Sequence, residues 1–279
     1  MKVAVLSGKG GAGKTFVSVS LAAAAKQAVY IDCDVEEPNG RLFLKPEELT
    51  HRKVSVKLPT FDSQKCTGCR KCVSFCRFNA LVFIKSVPKV FPGVCHSCGG
   101  CELVCPEGAI SEIDRPVGMV EMGRHGDVRV VTGILNTGEE SGVPVIKAAM
   151  QEGFKDAQTV VIDCPPGSAC PVMESVSAAD YCVLVAEPTA FGLHNFKMVY
   201  ELVTLMHKPC CVVINKESGA YEPLEAFCRE HHVPIRLRIP YSAQMAAWGA
   251  AGKIAVEEDA ALCAQFQSLL DGIAKEVRR

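Results

Sequence analysis

The 279-residue sequence has almost no net charge and no long apolar run. Its 30 Lys and Arg residues against 31 Asp and Glu residues give a formal net charge of −1. This balance offers no electrostatic reason to expect nucleic acid or an anionic membrane as a partner. No stretch approaches the roughly 18 consecutive apolar residues that span a bilayer, so stable membrane insertion is not expected. Disorder is excluded because 48% of the residues are hydrophobic, which is enough for a sizeable core.

Cysteine is the residue that the sequence has in excess, with sixteen in all. Such a number is typical either of disulfide-rich secreted proteins or of intracellular metal proteins. The apolar run at residues 1–6 stops at Ser7 and is too short for the apolar core of a signal peptide. We therefore expect a cytoplasmic protein whose thiols are reduced and free to bind metal.

The chain opens with a strand–helix–strand pattern. Residues 2–6, 14–27 and 28–32 predict two buried parallel strands joined by a crossover helix. After residue 116, apolar runs predict strands at 158–163, 181–186 and 210–215 and helices at 191–207, 221–231 and 259–277. We therefore predict a mostly parallel α/β sheet flanked by helices. Its domain, residues 1–59 and 116–279, is interrupted by a cysteine-rich α+β insert at 60–115.

A glycine-rich loop lies between the first strand and the first helix. Residues 8–15 match the P-loop pattern G-x-x-x-x-G-K-[ST] in the context that this motif requires. Glycines let backbone N–H groups curl around phosphate oxygens, and the helix N-terminus adds positive potential. Lys14 is expected to reach the β- and γ-phosphates of ATP, and the Thr15 hydroxyl to ligate Mg²⁺. The predicted nucleotide-binding residues of the loop are Gly8, Lys9, Gly10, Gly11, Ala12, Gly13, Lys14 and Thr15.

The same loop has a second possible interpretation. Gly8, Gly10 and Gly13 also satisfy G-x-G-x-x-G, and Asp32 follows about 20 residues later, as in dinucleotide-binding folds. A nicotinamide or flavin loop has no need of Lys-Thr after the third glycine, which favours the P-loop. Lys9 is either a solvated loop lysine or a cation that completes a phosphate site across a dimer interface.

Three aspartates close predicted strands at the edge where ligands of open α/β sheets bind. Asp32 ends the second strand and Asp34 follows two residues later, so their side chains are expected to point the same way. Asp163 ends a later strand. We assign Asp163 as a Walker-B-like acid that holds Mg²⁺ through water. Asp34 is assigned to orient or deprotonate the attacking water, and Asp32 to support Mg²⁺. The alternative is that these aspartates cap the helices or turns that follow.

Two cysteine runs have the spacing of bacterial ferredoxins. In such proteins three cysteines of one run hold one [4Fe–4S] cluster and the fourth ligates the other cluster. The first cluster is therefore assigned to Cys66, Cys69, Cys72 and Cys105. The second is assigned to Cys95, Cys98, Cys101 and Cys76. Zinc and disulfides are the alternatives, but zinc sites use paired CxxC steps and disulfides do not fit the expected compartment.

Several segments together resemble the MinD/Mrp/nitrogenase-iron-protein ATPases. KGGAGKT with Lys9 looks like their deviant Walker A motif, while DCD at 32–34 and IDCPPG at 162–167 look like their two switch segments. The twin cysteine runs between the switches resemble the subgroup with an inserted ferredoxin domain. AEPTAFGLH at 186–194 and VINK at 213–216 are also similar to that subgroup.

The resemblance implies a dimer with ATP sandwiched between two subunits, either identical or related. Lys9 would then reach the partner's phosphates, Asn215 would contact adenine, and Pro240 and Tyr241 would pack beside the base. Relatives use ATP to gate electron transfer or to carry and insert metal clusters. Cys170, just past the second switch, is a candidate thiolate ligand at the dimer interface.

We expect slow, partner-dependent ATP hydrolysis coupled to electron transfer from two clusters to a partner redox protein. One alternative is ATP-dependent delivery of a metal cluster or metal ion to a client metalloprotein. Another is a regulatory ATPase whose clusters only stabilise the insert.

Overall fold

The computed structural model describes residues 1–25, 27–155 and 158–278. Within these residues, the strands are β1 Lys2–Leu6, β2 Val29–Asp32, β3 Glu47–Phe61, β4 Leu81–Ile84, β5 Val87–Val90, β6 Ile110–His125, β7 Val128–Leu135, β8 Val160–Asp163, β9 Tyr181–Ala186, β10 Cys210–Glu217 and β11 Ile235–Pro240. The helices are α1 Lys14–Ala24, α2 Gly40–Leu44, α3 Lys71–Phe75, α4 Gly100–Leu103, α5 Val143–Gly153, α6 Cys170–Ser177, α7 Ala190–Leu205, α8 Glu222–Glu230, α9 Ala243–Ala250, α10 Ala255–Glu258 and α11 Ala260–Val277. None of the helices in these ranges is long and apolar enough to cross a membrane.

Nine strands form one sheet in the order β11-β10-β9-β1-β8-β2-β7-β6-β3. From β11 to β7 every neighbouring pair is parallel. β6 runs antiparallel to β7 and to β3, which forms one edge of the sheet. The prediction of a mostly parallel α/β sheet flanked by helices is thus confirmed.

Successive residues of the central strands face opposite layers of helices. In β1, Ala4 and Leu6 pack into one core with α5 to α8, while Val3 and Val5 pack into the other with α1 and α11. This alternation follows from the two-residue period of a strand, and a strand buried on both faces is continuously apolar. Phe266 is fully buried in the second core, so the amphipathic α11 packs on the sheet.

β3 and β6 join the sheet to the cysteine runs. They pair from Glu47 with Arg124 to Phe61 with Ile110, and the part of β6 before Gly118 pairs with β3 but not with β7. Residues 62–109, called the Cys-rich lobe below, contain α3, the hairpin β4–β5 and α4. The predicted boundaries at 59/60 and 115/116 fall inside these two strands, and the division into an ATPase domain and an insert stays a prediction.

Element ends differ from the sequence analysis by a few residues. The first helix was predicted to Gln27 but ends at Ala24, and Lys26 lies outside the described residues. The strand predicted at 210–215 continues to Glu217. The strands β3, β4, β5, β6, β7 and β11 were not predicted.

Candidate functional site

The glycine-rich loop lies at the carboxyl end of β1 and leads into α1. Gly11 and Gly13 have φ angles of 81° and 92°, in the left-handed region that side chains disfavour. A Cβ atom on Gly13 would also lie 2.0 Å from Asn215 Nδ2. Asn215 Nδ2 donates to the Ala12 carbonyl at 2.9 Å, and Lys216 Nζ donates to the Gly11 carbonyl at 2.7 Å. The end of β10 therefore fixes the backbone of the loop.

A cleft of about 600 Å³ opens in front of this loop. The predicted phosphate-site residues that line it are Lys9, Gly10, Gly11, Gly13, Lys14 and Thr15. Gly8 and Ala12 support the loop instead: Ala12 is buried, and Gly8 packs against the backbone of Asn195. Asp34 and the Pro165–Pro166 pair lie on the other walls. The cleft is thus bounded by the loop and by the segments after β2 and β8.

Lys14 is buried between two acids at the base of the cleft. Its Nζ lies 2.5 Å from Asp163 Oδ1 and 3.6 Å from Asp34 Oδ2. Burial alone would lower the pKa of Lys14, but the carboxylates of Asp163 and Asp34 hold it above its usual value. Tyr30 donates its hydroxyl to Asp163 Oδ2 at 2.8 Å, and burial together with that carboxylate raises the pKa of Tyr30. Lys14 is therefore a cation and Tyr30 a neutral donor.

Asp32 and Asp34 occupy different places. Asp32 is fully buried, and its oxygens accept the N–H groups of Asp34 at 3.1 Å and Gly40 at 2.9 Å. Burial and the charge of Asp163 raise the pKa of Asp32. Burial also raises the pKa of Asp34, although Lys14 opposes the shift. Asp34 thus shares the site with Lys14 and Asp163, whereas Asp32 anchors the start of α2 behind the cleft.

A side pocket of about 190 Å³ adjoins the cleft and is lined by Asn215, Pro240 and Tyr241. These are the residues that the resemblance assigned to the base of a nucleotide. Because Asn215 Nδ2 is engaged with Ala12, its Oδ1 is left as the acceptor. The structure therefore brings together residues that lie 25 positions apart in the sequence.

Lys9 points toward the segment after β9. Its Nζ lies 3.0 Å from Glu187 Oε2 and 4.7 Å from the centroid of the Phe191 ring. Neither Glu187 nor Tyr30 was predicted as a site residue, and Tyr30 was predicted only as part of a buried strand. Glu187 directly follows a predicted parallel strand, and that position at the ligand-binding edge could have identified it.

The two cysteine runs line two cavities in the Cys-rich lobe. A cavity of about 20 Å³ is lined by three cysteines of the first run and the last of the second: Cys66, Cys69, Cys72 and Cys105. A cavity of about 220 Å³ is lined by three cysteines of the second run and the last of the first: Cys95, Cys98, Cys101 and Cys76. In the ranges that the structure covers, no three His, Cys, Asp or Glu side chains are grouped so that they could hold a metal ion.

All sixteen cysteines are free thiols. Burial raises the pKa of Cys72, and it raises that of Cys101 to about 11. A thiolate at either position therefore needs a neighbouring positive charge. Cys170 is exposed at the first residue of α6.

The position of the loop, between a parallel strand and a helix at the carboxyl edge of the sheet, is that of P-loop nucleotide-binding proteins. The sequence profile described as the CobQ/CobB/MinD/ParA nucleotide binding domain matches residues 3–256, and the chain belongs to that family. It is a nucleotide-binding ATPase of the MinD/ParA type.

Two proteins of Methanocaldococcus jannaschii are similar along most of the chain. The uncharacterized protein MJ0578 is 30% identical over 246 residues, which is 86% of each chain. The uncharacterized protein MJ0579 is 26% identical over 221 residues, covering 77% of this chain and 80% of its own.

Solved structures share the fold at low sequence identity. The septum site-determining protein MinD of Pyrococcus horikoshii, complexed with Mg-ADP, superposes with a TM-score of 0.58 and 16% identity, over 99% of this chain and 98% of its own. The cell division ATPase MinD of Pyrococcus furiosus gives 0.57 and 18%, over 98% of each chain.

Proposed function

We propose that this chain binds and hydrolyses ATP with Mg²⁺, and that its nucleotide state controls electron transfer from two [4Fe–4S] clusters to a partner redox protein. The observation that carries the proposal is the composition of the two cysteine cavities. Each contains three cysteines of one run and the last cysteine of the other, as in two-cluster ferredoxins.

The phosphate half of the proposal rests on the cleft. Lys14 is charged and buried, and the phosphates of ATP would compete with Asp163 for its ammonium group. Thr15 and Asp163 supply the oxygen ligands that Mg²⁺ prefers. Asp34, at the cleft wall, is proposed to orient or deprotonate the attacking water. Asp32 is proposed to act on this site by holding the N–H groups of Asp34 and Gly40.

The side pocket suits the base of ATP. Asn215 Oδ1 is an acceptor and matches the exocyclic amino group of adenine. Pro240 and Tyr241 provide apolar surface beside it. The Mg-ADP in the P. horikoshii MinD complex, a protein of the same fold, supports an adenine nucleotide as the ligand.

The cysteines fit iron–sulfur clusters by their donor chemistry. Each cavity offers four thiols, and a cluster places irons and sulfides between its ligands, so the thiols need not converge on one ion. The larger cavity has room, whereas the thiols of the smaller one must move outward. When bound, such clusters supply one-electron redox chemistry. We propose residues 60–115 as the inserted ferredoxin-like domain.

We propose that the chain works as a dimer, with itself or with a related ATPase. In this structure Lys9 lines the cleft, and its Nζ lies 3.0 Å from Glu187 Oε2. A facing subunit's phosphates would then replace Glu187 as the anion beside Lys9.

Iron content and electron paramagnetic resonance test the proposal. Protein purified without oxygen is expected to contain about eight irons per chain, four per cluster. Spectra of the reduced protein are expected to change when Mg-ATP is added, because nucleotide state alters the surroundings of the clusters. A colourless preparation that holds zinc and cannot be reconstituted would refute the clusters. Identical spectra with and without bound ATP would refute the coupling.

A second candidate is ATP-dependent delivery of a metal cluster to a client protein. It is favoured by the exposure of Cys170, whose neighbours Ala169 and Pro171 line the cleft. Delivery predicts a third cluster that Cys170→Ala removes while the lobe keeps its iron. Iron content that does not change in Cys170→Ala would leave electron transfer as the proposal.

A further inference from the structure

The cleft and the side pocket share part of their walls. Gly13, Phe16 and Phe43 line both cavities. A nucleotide with its phosphates in the cleft and its base in the side pocket must pass these three residues with its ribose. Gly13 and Phe16 belong to the P-loop and α1, whereas Phe43 belongs to α2.

The first residue of α2, Gly40, is hydrogen-bonded to Asp32. The Gly40 N–H donates to Asp32 Oδ2 at 2.9 Å. A Cβ atom on Gly40 would lie 2.1 Å from the Tyr30 hydroxyl, which itself donates to Asp163. The start of α2 is therefore packed directly against the hydrogen-bond network around Asp163.

The other end of α2 leads to the Cys-rich lobe. Leu44 is fully buried, and Lys45 takes a left-handed conformation with φ 39° before β3 begins at Glu47. β3 extends to Phe61, five residues before Cys66, with two register shifts in its pairing with β6. One short helix thus stands between the shared cavity wall and the strand that enters the lobe.

We propose that Phe43 contacts the nucleoside of bound ATP and fixes α2 and the start of β3 only when base and ribose are bound together with the phosphates. The inference rests on the proposed ATP binding and adds a residue that senses the nucleoside. Phe43 is half-buried and packs partly on the core around α1 and α11, and it also lines both cavities, where a ligand can contact it. An aromatic side chain supplies a large apolar contact area to a nucleobase or ribose.

Inorganic tripolyphosphate separates the two halves of the nucleotide. It carries the phosphates of ATP but neither the ribose nor the base. Calorimetry of the full chain with Mg²⁺ should show that Phe43→Ala raises the Kd of the β,γ-imido analogue of ATP about 10- to 100-fold, the range expected for a lost aromatic contact. The Kd of tripolyphosphate should stay unchanged.

Two variants control for structural damage. Leu42 lies beside Phe43 on α2 but is 57% exposed and lines neither cavity, so Leu42→Ala should bind both ligands as the wild type does. Phe43→Leu keeps an apolar side chain for the core, and it should still weaken the binding of the ATP analogue but not that of tripolyphosphate. It replaces Phe43→Ala if that variant does not fold.

Hydrogen exchange of residues 40–58 gives a second readout. In the wild type, the ATP analogue should protect these amides more than saturating tripolyphosphate does, and Phe43→Leu should abolish the difference. If the Phe43 substitutions weakened the binding of both ligands equally, or of neither, the inference would be overturned while the proposal of ATP binding would stand. A wild type that binds tripolyphosphate but shows no preference for the nucleotide would instead overturn the proposed function.

Discussion

Lys14 and Asp163 form an ion pair from which water is almost excluded, with side chains 6% and 1% exposed. Removing one partner of such a pair leaves an uncompensated buried charge, which costs more than the pair itself contributes. Among the described side chains, Asp163 would then keep only the Tyr30 hydroxyl as a hydrogen-bond donor. The same lysine is proposed to bind phosphate, so stability and nucleotide binding depend on one side chain.

Lys14→Met is expected to abolish nucleotide binding and to lower the free energy of unfolding by about 3–5 kcal/mol. The neutral double variant Lys14→Met/Asp163→Asn should recover much of that stability but no binding, because the buried charge is gone while the phosphate ligand is still missing. Urea unfolding and calorimetry measure the two effects. A double variant whose loss of stability equals the sum of the losses in Lys14→Met and in Asp163→Asn would contradict the ion-pair argument. Iron content should not change in Lys14→Met or in the double variant.

At the scale of elements, the strands that the sequence predicted are buried on both faces, but the largely buried β7 was not predicted. β9 matches its predicted range because Tyr181–Ala186 is a continuous apolar run. β3 is a charged edge strand, which resists edge-to-edge pairing but weakens the apolar signal. Val54, Val56 and Leu58 do alternate with polar residues, and this pattern could have revealed it. In β6, Pro116 was interpreted as a boundary, yet it lies inside the strand beside a register shift.

The candidate site was predictable where it is contiguous in sequence. The P-loop and both cysteine runs are local patterns, so the sequence could name residues that line the cleft and the two cysteine cavities. Asp32 and Asp34 were expected to point the same way, but β2 ends at Asp32 and its alternation does not continue. Tyr30 and Phe43 have no local signal, because their roles arise from contacts between distant segments. Three-dimensional packing alone placed them beside the site.

Pairs of cysteine substitutions test how the two runs share their ligands. Cys66→Ser with Cys105→Ser should remove one cluster, because both residues line the smaller cavity. Cys95→Ser with Cys105→Ser should remove both clusters, because these residues line different cavities. Iron analysis would then give about four and about zero irons per chain.

If the first double variant lost both clusters and the second lost only one, each run would hold its own cluster. The assignment of the last cysteine of each run to the other run's cluster would then be wrong. Cys263 lies in α11, far from the lobe in sequence, and Cys263→Ser should keep about eight irons as the matched control.

At the scale of the whole molecule, the Cys-rich lobe is connected to the main sheet by two strands, β3 and β6. β3 follows α2 directly in the sequence. β6 pairs with β7, and β7 in turn pairs with β2 up to Asp32. Both connections therefore lead back to the neighbourhood of the cleft. A change in α2 or β2 has a short covalent path to the cysteines, which is the physical basis of the proposed coupling.

The same connectivity predicts that the sheet does not need the lobe in order to fold. Leu58 pairs with Ile113 in the antiparallel β3–β6 ladder, so an Asn-Gly turn in place of residues 59–112 would close the two strands as a hairpin. None of the residues lining the cleft or the side pocket lies within the removed segment. The shortened chain should therefore unfold cooperatively and bind the ATP analogue with the affinity of the full chain, as measured by circular dichroism and calorimetry. The full chain without iron is the control, since it keeps the lobe but not its clusters. If the shortened chain failed to bind nucleotide while the iron-free full chain still did, the cleft would depend on the lobe itself, and residues 60–115 would not be an insert in a self-sufficient domain.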